Sequence, residues 1–132
     1  MKGFHSDIET ETKSNTCFRK VLYTGRYSQL VLMSLKPGED IGEEVHPEND
    51  QFFRIDEGEG KCVIDGNEYE IKDGDAIVVP AGAKHNVINT SKTKYLKLYT
   101  IYSPPHHKDG IIRQTKEDAL QNETHFDGET TE

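Results

Sequence analysis

Four side chains of this 132-residue chain could be gathered by one metal ion: Glu44, His46, Gln51 and His85. Glu44 and His46 are two residues apart, so on an extended strand both leave the same face. The loop Pro47–Asp50 then allows the chain to reverse, and Gln51 opens the next strand within reach of that pair. His85 follows the Pro80-Ala-Gly82 turn at the start of another strand. One carboxylate, one amide oxygen and two imidazoles converging in a barrel would be unmatched polar groups without an ion, so a divalent cation is the economical reading. Asp50 is the alternative to Gln51, but parity turns it to the opposite face once the strand has begun.

The other histidines carry less. His106 and His107 are adjacent after Pro104-Pro105, and neighbours on an extended segment point apart, so they read as loop residues. His5 and His125 lie in the polar ends. Cys17 and Cys62 are 45 apart with no CxxC spacing, and with no export segment legible in MKGFHSDIETETK they read as free thiols of a cytoplasmic protein.

The elements that must position these residues are strands. Tyr27–Leu35 and Tyr95–Tyr102 are rich in aliphatic, aromatic and β-branched residues, and Phe52–Asp56, Lys61–Ile64, Glu68–Ile71, Ala76–Val79 and Asn86–Asn89 are shorter strands between turn residues. Asp65-Gly66 is a two-residue hairpin signal, because both turn positions need positive φ. No sustained helical period runs through residues 17–103, so the class is all-β, a sandwich or small barrel. Residues 1–16 are a polar N-terminal segment, and 104–132 an acidic C-terminal extension. Within that extension Thr115-Lys-Glu-Asp118 resembles a capping box and predicts a short helix near 115–120, with the last dozen residues loose.

Composition narrows the partners. The chain has 24 acids against 16 bases, a net charge of −8, and 33% hydrophobic residues. That excludes a sequence-independent nucleic-acid binder, and no apolar run is long enough to span a membrane as a helix. Between Glu39 and Glu59 nine acids face one base, Arg54.

Two motifs in order make the sequence resemble the cupin superfamily of small β-barrels. That family's second motif, G-x5-P-x-G-x2-H-x3-N, is matched at Gly74, Pro80, Gly82, His85 and Asn89. Its first, G-x5-H-x-H-x(3,4)-E-x6-G, is matched at Gly38, His46 and Gly58, with Glu44 in place of the first His and Gln51 in place of the Glu. The resemblance implies a jelly-roll barrel, a double-stranded β-helix, over 17–103, and a metal held by Glu44, His46, Gln51 and His85. It also implies a homodimer and a small-molecule ligand or substrate inside the barrel. Two oxygens and two nitrogens tilt the choice toward Mn²⁺ or Fe²⁺, with Zn²⁺ or Ni²⁺ as alternatives. Dioxygenase- or isomerase-like chemistry and a non-catalytic metal or small-ligand binding module both remain open. Phe53 and Ile55 should line the pocket beside Gln51, with Phe52 and Arg54 on the outer face. Tyr99, Tyr102 and Lys97 on the last strand could donate a proton if they face inward, with strand packing or solvent exposure the favoured reading for Lys97.

Overall fold

The computed structural model describes residues 1–132. In chain order the elements are α1 (Ile8–Ser14), β1 (Arg19–Thr24), β2 (Gln29–Leu35), β3 (Glu44–Val45), β4 (Asp50–Glu57), β5 (Glu59–Ile64), β6 (Asn67–Lys72), β7 (Ala76–Val79), β8 (Lys84–Asn89), β9 (Leu96–Ser103), β10 (Ile112–Arg113) and α2 (Lys116–Gln121). They form two antiparallel sheets, a six-stranded one in the order β10-β1-β2-β9-β4-β7 and a four-stranded one in the order β3-β8-β5-β6. This is the jelly-roll architecture the sequence motifs imply.

Alternation sets the faces. Along β9, Leu96, Leu98, Thr100 and Tyr102 are buried while Lys97, Tyr99 and Ile101 are half-buried on the outer side. Phe53 and Ile55 of β4 are fully buried, and with Val31, Met33, Leu35 and Leu98 they meet Cys62 and Val87 of the other sheet. Each such side chain contributes about 1.5–3 kcal/mol when taken out of water. Phe52 and Arg54 point outward, and the Phe52 ring lies 6.2 Å from Tyr99 on the same face.

The β2 strand breaks the alternation, since Leu32 and Ser34 on the outer side are also buried. The cause is α1, which packs across β9, β4 and β2. Asp7 caps it by accepting from the Thr10 N–H, and Thr12 is its buried residue. The polar N-terminal segment therefore contains a helix that the sequence reading did not anticipate.

Two tight features fix the register. Asp65 and Gly66 have φ of 46° and 82°, the pair of positive values a type I′ hairpin needs between β5 and β6. At Gly60 an added Cβ would lie 2.3 Å from the Ile88 carbonyl oxygen, so β5 approaches β8 as only glycine allows.

After Pro104-Pro105 the chain turns back over the barrel. β10 pairs with β1, and Thr115 caps α2 by accepting from the Asp118 N–H. The final stretch is tied down rather than loose. The Phe126 N–H donates to His106 O at 2.9 Å, the Thr131 N–H to Thr24 O at 2.9 Å, and the Glu132 carboxylate accepts from the Tyr23 hydroxyl at 2.7 Å. These bonds run to strand ends and loops that the linear sequence does not place nearby. No helix is long and apolar enough to cross a membrane.

Candidate metal centre

Glu44 and His85 are direct cross-strand partners on β3 and β8. His46 lies one residue beyond β3, on the same side as Glu44. Gln51 comes from the facing sheet, at the start of β4, between Tyr102 and Val79. Ligand atoms of Glu44, His46 and His85 all lie within 4.8 Å of one another. Glu44 Oε2 is 2.8 Å from His46 Nε2, and Gln51 Oε1 is 3.1 Å from His85 Nε2. His46, His85 and Gln51 are buried, and Glu44 is the partly open member at the rim. Asp50 does not join them, because its Oδ1 accepts from the Ala81 N–H at 2.9 Å and holds the turn that presents His85.

The hydrogen bonds behind these groups decide which atoms face the centre. The His85 Nδ1–H donates to Ala83 O at 3.0 Å, so the neutral ring presents a lone pair at Nε2. The Gln51 amide nitrogen donates to Thr100 Oγ1 at 3.0 Å, which turns its oxygen toward that same lone pair. In this tautomer the Gln51 oxygen and the His85 nitrogen, 3.1 Å apart, both offer lone pairs, a spacing that suits two ligands of one cation. The residues present therefore fit an ion. The opposite amide orientation would satisfy His85 without an ion and withdraw the oxygen from the centre, so metal binding and this orientation stand together.

Burial acts to raise the Glu44 carboxyl, but the His46 hydrogen bond and the charges of His46 and Arg19 outweigh it and hold it below its ordinary value. Tyr102 is buried behind Gln51, and burial together with the Glu44 charge pushes its phenol far above the usual range. It stays protonated and shares a 3.2 Å hydrogen bond with His107 Nε2.

The structure differs from the sequence expectation at His106 and His107. The His106 ring sits 4.3 Å from His46 and stacks on Tyr102, while His107 meets Tyr102 edge-on at 5.0 Å. Adjacent side chains point apart only along a regular strand, and this stretch after Pro105 is irregular. Burial, then the neighbouring His46, pushes the His106 pKa down to about 4, and burial holds His107 well below its usual range. Both are neutral at pH 7. His125 of the returning C-terminal segment comes within 5.8 Å of the His106 ring and helps to roof the site. Tyr99 and Lys97 face outward and do not reach it.

The space above Glu44 is a narrow cavity of about 60 Å³, lined by Arg19, Glu44, His106 and His125 among others. A far larger cleft, about 840 Å³, lies among Glu57, Tyr95, Lys97 and Gln114 and includes none of the histidines. Chemistry and size therefore separate. Of the four candidate ligands, Glu44 is the one that lines the small cavity.

The cupin domain family matches residues 31–102. The uncharacterized protein YrkC of Bacillus subtilis is 48% identical over 128 residues, covering 92% of this chain and 68% of that protein. The uncharacterized protein L612 of Acanthamoeba polyphaga mimivirus is 48% identical over 109 residues, 80% of this chain and 68% of that one. The crystal structure of BH2720 from Bacillus halodurans superposes with a TM-score of 0.89 at 44% identity, covering 92% of this chain and 96% of that one.

Proposed function

The chain belongs to the cupin domain family, and from that premise we propose that it holds a divalent cation through Glu44, His46, His85 and Gln51 and uses it on a small molecule at the barrel mouth. The observation that carries this reading is the convergence of the Glu44, His46 and His85 ligand atoms within 4.8 Å of one another. A donor set of two nitrogens and two oxygens, one of them anionic, favours Mn²⁺ or Fe²⁺. Such an ion supplies Lewis-acid polarisation or redox chemistry to a ligand on its open positions. The chain's own residues do the rest. Thr100 and Ala83 orient two of the ligands, Phe53 and Ile55 wall the inner side against water, and Tyr102 keeps a proton within the site.

A second reading, a non-catalytic module that binds a metal and a small ligand, draws support from the roof over the site and the 60 Å³ cavity beneath it. Protein prepared without tag or chelator should carry near-stoichiometric metal, and Glu44→Ala and His85→Ala should each lose it. Metal-free wild type that shows no melting shift with Mn²⁺, Fe²⁺, Ni²⁺ or Zn²⁺ would sink both readings. Turnover of any substrate, such as O₂ consumption by the Fe²⁺ form, would eliminate the second.

A further inference from the structure

Two arginines line the narrow cavity, and they are not equivalent. The Arg113 guanidinium donates to Asn122 O at 2.7 Å, which fixes it to the wall. Arg19 makes no such hydrogen bond, and its guanidinium carbon lies 5.4 Å from the Phe18 ring centre. Its Nε is shielded from solvent and has no hydrogen-bond partner, and none of the chain's ion pairs includes it. Its cross-strand neighbour on β2 is Met33, a core residue, so Arg19 projects from the inner face of its sheet. Glu44, the carboxylate beside it in the cavity, is engaged by His46 instead. Glu123 also lines the cavity without pairing to Arg19.

We propose that Arg19 is the anion-binding half of the site, and that the small molecule is a carboxylate of about two carbons held between this guanidinium and the metal position. The inference rests on the metal reading above. A shielded guanidinium N–H with no acceptor is costly, and a planar carboxylate supplies two acceptors that match its fork. The size follows from the cavity, whose 60 Å³ is about the liquid volume of two waters. A phosphoryl group fits less well, because the one other arginine in the cavity is already committed.

The test titrates Mn²⁺-loaded protein with acetate, oxalate and phosphate by calorimetry, in wild type and in Arg19→Gln and Arg19→Lys. At least one carboxylate should bind wild type more tightly than phosphate does. Arg19→Gln should weaken it about 10- to 100-fold while keeping wild-type Mn²⁺ stoichiometry, and Arg19→Lys should fall between, as loss of a charge-assisted pair predicts. The inference is overturned if Arg19→Gln binds the carboxylates as wild type does, if no carboxylate binds, or if phosphate binds best. An inability of wild type to load Mn²⁺ would instead count against the metal reading, and the same comparison on metal-free protein would still decide the role of Arg19. Should Arg19→Gln fail to fold, Arg19→Lys carries the comparison, since it keeps the charge and loses the fork.

Discussion

Replacing Glu44 by Gln separates a ligand from a merely structural carboxylate, since the amide can keep a hydrogen bond to His46 while the charge is lost. In the metal-free protein the change turns one 2.8 Å charge-assisted bond at a partly open site into a neutral one, a cost of about 1 kcal/mol. For a chain of 132 residues the unfolding entropy is about 0.28 kcal/mol per degree, so the metal-free Tm should fall by about 4 °C. Metal changes the picture. A cation at a hundred times its Kd stabilises wild type by about 2.7 kcal/mol, or about 10 °C. Loss of the anionic ligand should weaken affinity by about 100-fold, at least what outer partners of a ligand are worth, leaving a shift of about 1.5 °C. Calorimetric melting at matched Mn²⁺ concentrations, with metal content measured alongside, reads both effects. If the variant keeps the full metal-induced shift, Glu44 is not a ligand and the reasoning fails.

Three further outcomes follow from other parts of the molecule. Gly60→Ala places a Cβ 2.3 Å from the Ile88 carbonyl oxygen and 3.1 Å from Leu96 Cδ2, so it should destabilise by about 3 kcal/mol or more; an unchanged denaturation midpoint would contradict the close approach of β5 and β8. Asp56 is buried with Oδ2 unpaired and Arg54 Nε no nearer than 3.7 Å, and burial raises its pKa above 3.8. A raised carboxyl pKa in the fold makes the ionised form a liability at neutral pH, one that disappears as pH falls toward the unfolded value. Asp56→Asn should therefore stabilise by about 1 kcal/mol at pH 7, with the gain shrinking toward pH 3.8, and a loss of stability at pH 7 would refute this. Truncation after Gln121 removes the bonds from Phe126, Thr131 and Glu132, and should leave the barrel folded while chelator strips metal about tenfold faster; an unchanged stripping rate would show that the segment does not roof the site.

The sequence made the barrel legible because its signals are local. Alternation in β9, the Asp65-Gly66 turn and the spacing from Gly74 to Asn89 each act within a few residues, and so does the Glu44-x-His46 pair. What escaped depends on contacts far apart in the chain. The parity that separates His106 from His107 holds only on a strand, and beyond Pro105 both rings fold onto Tyr102. Arg19 lies outside either motif, and its position at the site comes from strand pairing around the barrel. Helix α1 carried a readable cap at Asp7 and an acidic first turn, but its polar composition hid the face it lays on β2, β4 and β9.

The ligands do not share one sheet. Glu44 and His85 belong to the four-stranded sheet and Gln51 to the six-stranded one, so an ion held by all of them is a rivet between the two halves of the sandwich. At that end the apolar core gives way to histidines, tyrosine and amides, which grip less firmly than Leu98 against Val87. The sheets should breathe most there when metal is absent. Amide hydrogen exchange at the start of β4 and in β8 should then slow together on metal binding, although the two strands belong to different sheets. The bound ion would thereby set how far the barrel mouth opens.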